Sequence, residues 1–94
     1  MKNAYKHFVQ YAIKKGCKIS VFDGEEWAIK RSRKQKYIKE AVESVEEARL
    51  NVRDHDGNVI AVASVIPFGV APDETMVDYS DNEFMHEWER EFDA

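Results

Sequence analysis

The sequence predicts an α+β fold in which three helices lie on two antiparallel β-hairpins, in the order α-ββ-α-ββ-α, as a two-layer sandwich. Three observations predict it. The apolar period switches from helical to alternating and back twice along the chain. Turn chemistry separates the alternating runs, at Asp23-Gly24-Glu25-Glu26 and at Asp54-His55-Asp56-Gly57-Asn58. Ninety-four residues with 44% apolar content supply one core, so residues 1–94 are read as a single domain. The two hairpins are expected to join in one four-stranded sheet, with the helices covering one face.

The first helix follows from Ala4, Tyr5, Phe8, Val9, Ala12 and Ile13, which recur at helical spacing. Asn3 is a competent N-cap, and Gly16 suits the left-handed residue that ends such a helix. Lys18–Phe22 reads as a strand, and Trp27 to about Arg31 as its hairpin partner. Ile38, Ala41, Val42 and Val45 share one face of a second helix, expected from Lys34 to Ser44. Ala48, Leu50 and Val52 then alternate with Arg49, Asn51 and Arg53, the period of a half-buried strand. Its return strand, Val59 to Ile66, is apolar on both faces and is expected to be central or covered on both sides. Phe68-Gly69-Val70-Ala71-Pro72 reads as an extended apolar linker. Ser80 and Glu83 match a capping box opening the last helix, with Phe84, Met85, Trp88 and Phe92 as its apolar stripe.

Charge is sorted along the chain. Residues 1–39 carry eleven Lys/Arg against three acids, a formal +8, and residues 40–94 carry fifteen acids against three Arg, a formal −12. The net −4 therefore hides two strong opposite fields, and such fields choose partners electrostatically. No apolar run approaches membrane-spanning length, and the N-terminus is a charged amphipathic stretch rather than an apolar signal core. Cys17 is alone, so a disulfide framework is excluded and a reducing, cytoplasmic compartment is expected.

Five groupings are candidates for chemistry. Lys30, Arg31, Arg33, Lys34 and Lys36 place five cations in seven residues, with Tyr37 next to stack on a base, the make-up of a phosphate-contacting patch. Its bland counterpart is a solvated junction balanced by the acids of the C-terminal half. The acidic tail, with Asp78, Asp81, Glu83, Glu87 and Glu91 prominent, exceeds what solubility needs and suits a basic partner surface. Glu83-x-x-His86 matches half of a carboxylate–imidazole metal motif but lacks the other ligands, and Asp54-His55-Asp56 sits where a turn is expected. Cys17 with His7 has no orienting third group. No glycine-rich phosphate loop or nucleophile elbow is present, so neither an enzyme, a metal nor a cofactor is expected.

The phrases VFDGEEWAIKRS (Val21–Ser32) and IPFGVAPDETMVDYSD (Ile66–Asp81), in a compact acidic chain, resemble the small accessory proteins of tailed bacteriophages. In size and charge the chain is also similar to acidic phage inhibitors of host nucleic-acid enzymes. That resemblance implies a DNA-mimic-like inhibitor in the host cytoplasm, with a nucleic-acid-processing enzyme as partner. The expectation is a non-catalytic protein acting through Asp78, Asp81, Glu83, Glu87 and Glu91 on a basic protein surface. The alternatives are a nucleic-acid-binding accessory protein using residues 30–37, and a self-assembling module pairing the basic half of one copy with the acidic half of another.

Overall fold

The computed structural model describes residues 2–94. Its elements are α1 (Ala4–Lys14), β1 (Lys18–Phe22), β2 (Trp27–Ser32), α2 (Gln35–Glu43), β3 (Ala48–Arg53), β4 (Val59–Val65), a 3-10 turn (Pro72–Glu74), β5 (Met76–Tyr79) and α3 (Glu83–Asp93). The strands form one sheet in the order β2-β1-β3-β4-β5, every neighbouring pair antiparallel. The α+β architecture with three helices is as expected, but the sheet has five strands where four are predicted.

Local chemistry explains most of these elements. The Asn3 side chain accepts the Lys6 N–H, which caps α1, and Gly16 takes φ +85° just beyond its end. Asp23 Oδ1 accepts the N–H groups of both Glu25 and Glu26, closing the first hairpin. Asp54 Oδ1 does the same for Asp56 and Asn58, while Gly57 takes φ +87°. The second hairpin therefore turns where predicted. Its alternation is also as predicted, Ala48, Leu50 and Val52 being buried while Arg49 is exposed and Asn51 and Arg53 are half-buried.

The core lies between the sheet and one layer of helices. Ile19, Val21, Leu50, Val52, Ala61, Ala63 and Val65 from the strands meet Tyr5, Phe8, Ala12, Ile38, Val42, Met85 and Trp88 from the helices in a single cluster. Helix α1 touches both α2 and α3, so the three helices lie side by side over the same face. Trp88 anchors the layer: its ring packs on Phe8, Tyr79 and Phe92, and its indole N–H donates to His7 Nδ1 at 3.1 Å. The buried Thr75 hydroxyl ties the far end together, accepting the Tyr5 N–H at 3.0 Å and contacting Asn3 Oδ1 at 3.2 Å.

Two departures concern strand β4. Ser80 is not a helix cap; its N–H bonds the Val62 carbonyl and its hydroxyl accepts the Val62 N–H, so it extends the pairing of β5 with β4. The chain leaves β4 only at Asn82, whose side-chain amide donates to the Ile60 carbonyl and whose oxygen caps α3 by accepting the Met85 N–H. The predicted stripe of α3 nevertheless faces inward, Met85 and Trp88 buried and Phe84 and Phe92 half-buried against them. The second departure is coverage. Strand β4 is central, yet its Ile60, Val62 and Ser64 side is only half-buried, because no helix lies on that face.

Candidate nucleic-acid interface

The register of the sheet determines what stands on the face away from the helices. Cross-strand partners share a face, so Lys18 lies beside Arg53, Ser20 beside Asn51, and Phe22 beside Arg49. The rows continue outward, with Trp27 beside Phe22 on β2, Ser64 beside Arg49 on β4, and Asp78 beside Ser64 on β5. Opposite Ser20 the β2 strand bulges through Lys30 and Arg31, the Arg31 N–H donating to Ser20 Oγ at 3.0 Å. The outer face thus presents Lys18, Lys30, Arg31, Arg49 and Arg53, with Asp78 as the acid of its far edge.

Two aromatic rings mark the other end of this face. Phe22 and Trp27 meet edge to face with centroids 5.1 Å apart, and Trp27 is 39% exposed despite its size. A concavity of about 360 Å³ opens beside them, lined in part by Phe22, Arg49 and Ser64. From Lys18 to Phe22 the strand advances about 13 Å, so cations and rings form a continuous strip.

The electrostatics of this strip are unbalanced. Ion pairs among the described residues join Lys6 and Lys39 to Glu43 and Arg90 to Glu83, and two histidines contact nearby aspartates. None includes Lys18, Lys30, Arg31, Arg33, Lys34, Lys36, Arg49 or Arg53. The acidic half thus brings no carboxylate within salt-bridge distance of these cations among the described residues. Helix α2 adds to the imbalance: Lys34 is its N-cap, no side chain caps it, and no acid stands in its first turn. Cations there oppose the helix dipole, which favours negative charge at that end.

The predicted patch at residues 30–37 is divided by the fold. Lys30 and Arg31 end β2, while Arg33, Lys34, Lys36 and Tyr37 belong to the connection and first turn of α2. Tyr37 is 48% exposed, but the Lys34 ammonium stands 5.7 Å from its ring centroid and covers one stacking side. Lys18, Arg49, Arg53, Phe22 and Trp27 complete the strip from three different strands. The outward half of the Arg49-Asn51-Arg53 alternation was the signal that would have found two of them.

The predicted acidic residues are not brought to one face. Asp78 lies on the open side of the sheet edge, whereas Glu83, Glu87 and Glu91 are on α3. Several have partners within the molecule: Asp81 meets His86 Nε2 at 2.5 Å, Glu83 meets Arg90 at 3.0 Å, and Glu87 accepts from the Tyr11 hydroxyl at 3.5 Å. Glu89 likewise accepts from the Tyr79 hydroxyl at 3.2 Å. Burial first, and then these carboxylates, raise the pKa of Tyr11 and Tyr79 above the ordinary phenol value. Glu91 is exposed and lines a small groove with His7, Gln10, Tyr11 and Lys14.

The remaining groupings resolve into structure. Glu83 and His86 turn to Arg90 and Asp81 respectively, and no group of three or more metal-ligating side chains occurs among the described residues. His7 is held by Trp88 seven residues, about 10 Å of helix, before α1 ends at Lys14, and Cys17 is buried beyond that end, so the imagined dyad does not form. Burial raises the Cys17 thiol pKa, with nearby Asp54 adding to the rise and Arg33 opposing it. Phe68 and Val70 of the apolar linker are exposed, Phe68 being 62% so beside a groove lined by Glu43, Glu46 and Glu47. Among the described residues no helix is long and apolar enough to cross a membrane.

Comparison of the chain with known protein families, with curated proteins and with solved structures gives no match.

Proposed function

We propose that the protein is a binding protein, not an enzyme, and that it takes single-stranded nucleic acid on the open face of its sheet. One observation carries the reading: the cations of three strands gather, without carboxylate partners, on the face that the helices leave bare. Single-strand binders combine a cationic track for the backbone with aromatic rings on which bases stack. The strip supplies both, Lys18, Arg31 and Arg53 at one end and Arg49 with Phe22 and Trp27 at the other. The overall pI of about 5.3 does not oppose this, because the local field decides the encounter and the acids that reach this face, Asp78 at its far edge and Glu47 at the concavity, are outnumbered by its cations.

The acidic residues of α3 support a second reading, docking on a basic protein surface, through the exposure of Asp81, Glu83, Glu87 and Glu91. Their internal partners weaken it.

Anisotropy of a labelled single-stranded oligonucleotide, followed against salt, tests the proposal. Each phosphate contact on a single strand contributes a slope of about −0.7 in log K against log salt. Four or five engaged cations therefore predict a slope of roughly −3. Replacing Arg49 and Arg53 by Ala should lower affinity and reduce that slope by about one to two. Absence of binding even at low ionic strength overturns the reading.

A further inference from the structure

We infer that Lys18, Arg31 and Arg53 form a phosphate-binding site beside Gly57, an inference that rests on the nucleic-acid reading and assigns the residues that hold one backbone phosphate. Three features that each cost stability converge there. The register sets Lys18 directly opposite Arg53, a like-charge cross-strand pair. The Arg53 side chain donates from Nη1 to the Gly57 carbonyl at 2.8 Å, yet its Nε is buried with no hydrogen-bond acceptor. A buried donor without an acceptor loses its hydration and gains nothing in return.

The third feature is Arg31. Its φ of +52° makes it the one non-glycine residue with positive φ among the described residues, a conformation that L side chains rarely adopt. The bulge that imposes it carries the guanidinium to the β3–β4 turn, where Nη1 lies 3.8 Å from the position a Cβ on Gly57 would occupy. Strained backbone of this kind persists where surrounding structure holds it, and it clusters at binding sites.

Two guanidinium groups thus meet at one turn, with Lys18 opposite Arg53 in the register, and among the described residues no carboxylate, those of Asp54 and Asp56 in the turn included, lies within salt-bridge distance of the three. A tetrahedral oxyanion supplies what the cluster lacks, negative charge between the cations and acceptor oxygens for two arginine forks. The phosphate can come from a nucleic-acid backbone or from free phosphate in solution.

The test is a titration of the isotope-labelled full chain with inorganic phosphate, against chloride at equal ionic strength, followed by amide and arginine Nε–H resonances. A second arm uses a single-stranded oligonucleotide. Phosphate is expected to move the Gly57 amide and Arg53 Nε–H signals saturably, and chloride to leave them in place. Arg31→Gly relieves the backbone strain, so it should fold at least as stably while losing about tenfold in phosphate affinity. Arg49→Ala, at the other end of the strip, should keep the phosphate response. No phosphate-specific movement at Gly57 and Arg53 overturns the site, even if the oligonucleotide binds elsewhere on the face. Phosphate binding without oligonucleotide binding upholds the site for free phosphate and overturns only the nucleic-acid reading.

Discussion

The open face of the sheet and the outer surface of α3 are both densely charged, but the fold treats them differently. On the sheet, Lys18 and Arg53 face each other in register, and Arg31 is bent into a left-handed conformation to join them. On α3 and the loop before it, Asp81, Glu83, Glu87 and Glu89 each find a hydrogen-bonding partner in their own molecule. Charge count therefore says little about which surface acts. What distinguishes the two is pairing: four carboxylates of one set have hydrogen-bonding partners in their own molecule, while the cations of the other have no carboxylate within salt-bridge distance among the described residues.

The comparison makes α3 chiefly a structural element, and its largest expected effect is on stability. Trp88 touches three aromatic rings and spends its N–H on His7, so Trp88→Ala should cost roughly 3–5 kcal/mol in denaturant unfolding. A cost below about 1 kcal/mol would show that the α3 stripe is not core. Reversing charge on the same helix sharpens the contrast. Glu87→Lys with Glu91→Lys should leave stability within about 1 kcal/mol and leave oligonucleotide affinity unreduced, since exposed charges contribute little. A large loss of binding in that double variant would move the functional surface to the acidic side.

Smaller still is a pH effect. Burial first, then Glu87 and Glu89, hold the Tyr11 and Tyr79 phenols protonated above their ordinary range in the folded state. Tyr5 shifts the same way, through burial and its hydrogen bond to Glu43. A group whose folded pKa is raised contributes stability that is complete below the unfolded value, about 10 for tyrosine, and is lost as pH climbs through the folded value. Denaturation midpoints should thus hold to about pH 9 and fall beyond about pH 10. The fall should be shallower in Tyr5→Phe than in the parent protein. An equal slope in both would remove Tyr5 from the linkage.

Much of the fold was legible in the sequence because single residues decided it. Asn3, Gly16, Asp54 and Gly57 each have a chemical task that the local sequence announces, and the 48–53 alternation declared its buried face. Strand β5 was not legible: four residues with Asp78 among them carry no alternation strong enough to read, and an edge strand owes its form to its neighbour. Ser80 misled for a similar reason. Its hydroxyl suits a helix cap or a strand end, and only the proximity of Val62 decides between them. The site was half legible. Lys30 and Arg31 stood out as part of a run, but Lys18, Arg49 and Arg53 join them through sheet pairing, which a linear pattern does not encode.

The two tryptophans allow the central claim to be tested in one experiment. Trp27 stands on the open sheet face and Trp88 lies in the core on the inner side of α3, so their indole N–H resonances report the two regions separately. Titration with a single-stranded oligonucleotide at low salt should move the Trp27 signal progressively while that of Trp88 stays fixed, and added salt should reverse the movement. A Trp27 signal that stays in place while α3 amides shift, or no shift in either region, would contradict the account.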